Sequence, residues 1–226
     1  VTVTGALTGN VTAGTVSAGS MTGNVGSSVT VTGLLTGEIT AGTNSLGSLS
    51  SASVTGGTNT ITGAATVTTV NGGTTTVGGV ATVTTLTTGT LTFNGASGSI
   101  GTLTAGTFNL NGAAATVGTL SAGTVNLAAS TALTVNEGTF AGSLAGSGSL
   151  IKATTGILTL TGANLSFTGA TTINAGTLIV GNVGSLGSGA VTVNGGTLTA
   201  MELGAAWRAL RDAQAFRTSR LTLSVP

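Results

Sequence analysis

Valine, leucine and isoleucine alternate with threonine along most of this chain, in short runs closed by glycine. Examples are VTVTG at 1–5, SVTVTG at 28–33, ATVTTV at 65–70, ATVTTL at 81–86, TLTF at 90–93 and ILTLTG at 157–162. A period of two puts the apolar side chains on one side of an extended backbone and the threonines on the other. β-Branched residues also fit a pleated, half-buried surface, so each run predicts a strand with one face in a core. Before residue 200 no helix is predicted, because Gly, Thr, Ser and Asn form helices poorly and no i, i+3, i+4 apolar spacing persists. Turn residues punctuate the runs: NGG at 71–73, NG at 94–95 and 111–112, NAG at 174–176 and NGG at 194–196. Asn and Gly tolerate positive φ, but the same dipeptides close hairpins, so they do not separate a hairpin from the corner of a coil.

The repeats make that separation. The segment at 1–20 returns at 29–48 with 15 of 20 positions identical. Shorter copies recur at closer and unequal offsets: ATVTTV at 65 and ATVTTL at 81, GTLTAGTFNL at 101 and GTLSAGTVNL at 118, INAGTL at 173 and VNGGTL at 193. Closed barrels and propellers need near-constant strand lengths, whereas a solenoid tolerates coils of variable length because insertions go outward into turns. The pattern predicts a right-handed parallel β-helix with coils of about 15 to 28 residues, roughly 8 to 13 of them. With neighbouring coils about 4.8 Å apart, the rod is on the order of 40 to 60 Å long.

After Ala200 the sequence changes to MELGAAWRALRDAQAFRTSR, with Leu203, Ala206, Trp207, Leu210 and Ala213 on one face of an amphipathic helix. The predicted organisation is thus a repeat array over 1–200 and a helix plus the short strand LTLSV over 201–226. Solenoid ends expose unpaired backbone groups and an apolar cross-section, so this tail fits a cap or assembly element built on Leu203, Trp207, Leu210 and Phe216. A partner-binding helix, a non-native tail and a spacer toward a further domain are the other readings.

Charge narrows the function classes. Nine charged side chains serve the whole chain, and only Glu38, Glu137 and Lys152 fall before residue 201. With 40% hydrophobic residues and a formal charge of +1, the chain is expected to be ordered. Forty glycines without a proline at every third place exclude collagen. No apolar run approaches the length of a helical membrane span, because Thr, Ser, Gly or Asn breaks every stretch. The absence of a basic stripe, of histidine and of tyrosine argues against nucleic acid as a partner. The lack of cysteine decides little about compartment. The chain opens without a basic and apolar leader, so a secretion signal is expected to be already removed or to lie outside these residues.

Catalytic chemistry is poorly provided for. Glycoside-cleaving β-helices need paired carboxylates, and Glu38 and Glu137 stand 99 positions apart in a linear solenoid. Without histidine no histidine-based triad forms. There is no aspartate before Asp212 for a calcium loop, and VGNVGSLGSG at 180–189 lacks the Lys-Ser/Thr of a phosphate loop. The expectation is a non-enzyme with no cofactor and no metal. Lys152 reads as a solvated or repeat-entry residue. Threonine pairs of the form TxT, at 2–4, 30–32, 66–68, 82–84, 90–92, 102–104 and 197–199, raise an ice- or carbohydrate-binding solenoid as an alternative. The drifting offsets argue against a lattice-matched array, and an outward Thr is the ordinary polar partner of an inward Val or Leu.

The stretch Gly146 to Leu198 resembles the autotransporter-associated β-strand repeat of Gram-negative surface proteins. The matching elements are GSGSL followed by a lysine, LTLTGAN, TGATTINAGTL and LGSGAVTVNGGTL. The resemblance implies a right-handed parallel β-helix passenger, exported to the cell surface or secreted by way of an outer-membrane barrel, which these residues do not contain. The expected function is that of a surface adhesin or a self-associating structural protein. Its expected partners are further copies, side to side or end to end, and host or matrix glycans and proteins.

Overall fold

The structure is a computed structural model describing residues 2–8, 11–13, 16–22, 28–164, 166–181, 184–200, 215–216 and 221–223, with side-chain surroundings given for residue 30 and for those within 32–200. Every regular element among them is a strand. The strands pair in parallel into one continuous 22-stranded sheet that winds as a solenoid of about 10 turns. At about 4.8 Å per rung this is a rod of about 48 Å.

The shorter repeat offsets are rungs of this ladder. Ala65 pairs with Ala81, a step of 16; Thr102 with Thr119 and Phe108 with Val125, steps of 17; Ile173 with Val193 and Thr177 with Thr197, steps of 20. The long N-terminal duplication is not a rung. Thr2 stacks on Ser17 and Val11 on Val29, so neither meets its own copy. What is copied there is a strand-forming pattern, and stacked positions follow coil length instead.

Each turn sends three groups of side chains inward. In one turn these are Asn59 and Ile61, then Ala65 and Val67, then Val70, before Thr74 stacks on Thr58 and opens the next rung. We refer to the faces they define as the first, second and third. The alternation seen in the sequence is therefore inside and outside of the rod: residues 81–83, for example, run Ala81 buried, Thr82 exposed, Val83 buried. Four of the five phenylalanines, Phe93, Phe108, Phe140 and Phe167, are fully buried in this core.

Two corners are held by glycine for different reasons. Gly106, between the third and first faces, has φ 83°, a left-handed conformation that side chains rarely adopt, and it stacks on Gly89 and under Gly123 with the same sign of φ. Gly112, between the first and second faces, has no such φ. Its constraint is proximity: a Cβ there would lie 1.8 Å from the Gly95 carbonyl oxygen of the rung below.

One stretch of the core is polar. On the first face the inward positions Asn44, Asn59 and Thr75 give way to Leu91, Phe108 and Val125 in the following rungs. The Asn44 side-chain amide donates to the Asn59 side-chain oxygen (2.6 Å) and to the Ala41 carbonyl (3.2 Å). Asn59 donates in turn to Thr75 Oγ1 (3.3 Å) and the Gly56 carbonyl (3.1 Å). These side chains tie the corner backbone to the core, as buried amides must if they are to offset their desolvation.

The helix expected within 201–226, with Leu203, Trp207 and Leu210, lies outside the described residues. In that tail Ala215–Phe216 pairs in parallel with the strand Val191–Val193, placing Phe216 on Val193, and Leu221–Leu223 pairs with Thr197–Ala200. Both ladders thus continue past Ala200, Thr192 stepping to Ala215 and Leu198 to Leu221.

Candidate functional site

In a solenoid whose interior is filled, function falls to the outer faces. Their chemistry is hydroxyl and amide. On the first face the outward positions are Thr58 and Thr60, Thr74 and Thr76, Thr90 and Thr92, then Thr107 and Asn109, Thr124 and Asn126, each directly above the last. Asn126 donates to Asn109 (2.8 Å) and Asn109 to Thr92 (3.2 Å), so the amides satisfy one another along the rod. Further amide ladders run outside the corners, Asn111 to Asn94 (3.1 Å) and Asn194 to Asn174 (2.8 Å).

The two acidic residues of the array share one column. Ile39 pairs with Val54, Val54 with Val70 and Val70 with Leu86, and the outward neighbours of this ladder run from Glu38 through Ser53, Thr69, Thr85, Thr102 and Thr119 to Glu137. The separation is six rungs, or about 29 Å at about 4.8 Å each. That is far beyond the roughly 5 to 10 Å at which two carboxylates act together on a glycosidic bond. Around Glu137 the surface dips into a shallow depression of about 420 Å³, lined by Thr119, Gly138, Thr139, Gly156, Ile157 and Thr159. Ile157 is 54% exposed there.

Lys152 corrects the solvated reading. It is fully buried, because it pairs with Val135 below and Ile173 above at an inward position of the second face, while its neighbour Ile151 points outward. Its amine donates to the Thr154 carbonyl and, at 3.4 Å, to Thr154 Oγ1, which itself donates to the Asn136 carbonyl at 3.0 Å. Burial holds the amine below its ordinary value of 10.5, and the Glu137 carboxylate works against that shift. The signal available in the sequence is the rung alignment of SLIK with ALTV and TTI, which puts lysine where the copies on either side have a β-branched apolar residue.

The depressed value fixes the sign of a pH effect. With the folded-state value below the unfolded one, the unfolded chain binds the proton more tightly, so stability rises as pH approaches 10.5 from below. Lys152→Met should remove that rise. It should also leave the protein at neutral pH more stable by about 1 kcal/mol, since the buried cation is replaced by an apolar chain of similar length. Denaturant melts of both proteins between neutral pH and pH 10 check this, and an unchanged pH dependence in the variant would refute it.

A charge-poor parallel β-solenoid with a packed interior and polar, hydroxyl-lined flanks defines this protein as a repeat scaffold. Residues 150–180 match the family model described as passenger-associated-transport-repeat. This repeat and the solenoid fold fit an autotransporter passenger segment. No curated protein and no solved structure gives a significant match to the chain. Among the described residues no helix is long and apolar enough to cross a membrane, and no group of three or more His, Cys, Asp or Glu stands together as metal ligands.

Proposed function

We propose that this chain is a non-enzymatic, passenger-type solenoid of a Gram-negative cell surface that acts as an adhesive or self-associating scaffold, through side-by-side contact along its outer faces. The observation that carries the reading is the fate of the three charges before residue 201. Lys152 is withdrawn into the core, and Glu38 and Glu137 lie on one column about 29 Å apart. The rest of the described flank is uncharged, mostly Thr, Ser, Asn, Ala and Gly with Leu34, Val80 and Ile157 exposed among them, so two such rods approach without appreciable repulsion and can exchange hydrogen bonds between columns. The matched repeat supports the export that places such a rod outside the cell.

Light scattering and negative-stain electron microscopy over a wide concentration range test the scaffold reading. Laterally aligned bundles that grow with concentration are the expected result. Single rods at the highest concentration would remove self-association and leave adhesion to other molecules as the remaining activity.

A further inference from the structure

The first face carries a second feature, independent of self-association. Three successive rungs present two outward threonines each, Thr58 and Thr60, Thr74 and Thr76, Thr90 and Thr92, and Thr43, Thr107 and Thr124 extend the first column in both directions. The drift in coil length that argues against a lattice does not reach this face. Within it Thr58, Asn59, Thr60 and Ile61 pair one to one with Thr74, Thr75, Thr76 and Val77, and these with Thr90, Leu91, Thr92 and Phe93. The register shifts between these coils fall at Asn71, outside the face.

The hydroxyls are also free. Threonines beside the turns spend theirs on carbonyls of the preceding coil, as Thr62 does on Leu46, Thr87 on Val70 and Thr104 on Leu86. Among the described residues, Thr58, Thr60, Thr74, Thr76 and Thr90 have no protein partner for their outward hydroxyls, and Thr92 only accepts from Asn109. The result is a regular grid of methyl and hydroxyl groups. It repeats every about 4.8 Å between strands and about 6.6 Å along them, without a charged group inside it.

We propose that this grid binds ice. Each unpaired hydroxyl offers one donor and two acceptors to water, and Thr92 one donor and one acceptor, while the methyls between them hold that water off the backbone. The two repeats lie near the oxygen spacings of the prism face of hexagonal ice, so water held on the grid would sit close to the positions that lattice requires. A second protein is the weaker occupant: five rungs of a four-residue strand cover about 300 Å², well under the about 800 Å² per partner of a stable complex.

The test is freezing hysteresis and ice-crystal shaping by the folded chain, compared with two substitutions that keep β-propensity. Thr76→Tyr stands in the middle of the grid, and Thr116→Tyr is equally outward on the second face. The expected result is shaping and hysteresis in the parent, their loss in Thr76→Tyr and their retention in Thr116→Tyr, with circular dichroism confirming the fold of all three. Thr60→Tyr replaces Thr76→Tyr if the latter does not fold. Absence of hysteresis in the parent, or equal loss in both variants, overturns the proposal.

Discussion

Replacing Gly112 by alanine should destabilise the protein by at least about 3 kcal/mol, although it adds a single methyl group. The new Cβ would sit 1.8 Å from the Gly95 oxygen, 2.8 Å from the Gly95 carbonyl carbon and 3.0 Å from that of Asn94. All three are backbone atoms, so no rotamer change relieves the clash. The rungs must part, and parting them stretches the bonds from the Gly112 and Asn111 amides to the Phe93 carbonyl, now 2.8 and 2.9 Å. Overpacking costs about 1 to 3 kcal/mol, and two weakened backbone bonds about 1 kcal/mol each. A fall in melting temperature of about 6 to 12 °C would follow for a chain of this size. The neighbouring Ala113 is exposed and already carries a Cβ, so Ala113→Ser should stay within about 0.5 kcal/mol of the parent. If Gly112→Ala melts with the parent, the close stacking of this corner is wrong.

Phe108→Ala should cost about 3 to 5 kcal/mol. The ring is fully buried in the middle of the rod, between Leu91 below and Val125 above, and meets the Phe93 ring edge-on at a centroid distance of 5.0 Å and 75°. Part of the cost is the aromatic pair itself, about 0.5 to 1.5 kcal/mol beyond burial. In a stack where each rung touches only its neighbours, a cavity at this height weakens the coupling between the two halves. Denaturant unfolding should then lose cooperativity as well as midpoint. A loss under about 1 kcal/mol with an unchanged slope would contradict both the burial and the coupling.

Much of this is legible in the chain itself. The alternation of Val or Leu with Thr marks the strands, and the offsets 16, 17 and 20 are rung steps because in those copies the turns between strands have equal length. The long N-terminal duplication misleads because its offset of 28 matches no rung step there, where Thr2 stacks on Ser17 and Val11 on Val29, so copied residues do not stack on one another. Lys152 misleads because a lone charge in a strand usually faces water, and only the rung alignment shows that Ile151 takes the outer place. Nor do residue numbers reveal that Glu38 and Glu137 share a column, since that depends on summing six steps that vary from 15 to 18 residues. The drift in coil length is plain in the sequence, but its consequence is not, because corners absorb it and leave the first face in register.

Along the first face the step between stacked residues climbs from 15 at Thr43↔Thr58 through 16 at Thr58↔Thr74 and 17 at Thr90↔Thr107 to 19 at Thr124↔Ser143. On the third face it reaches 20 at Thr177↔Thr197 and 23 at Leu198↔Leu221. A ladder graded in this way lessens a hazard that identical repeats carry. Were all coils of one perimeter, a strand could slide by one rung and find equally good neighbours, as a misthreaded screw still turns. Here equal steps recur only over neighbouring rungs, as at Thr58↔Thr74 and Thr74↔Thr90, so a coil displaced further meets neighbours of the wrong girth, and the number of residues needed to go round narrows each strand's place along the axis.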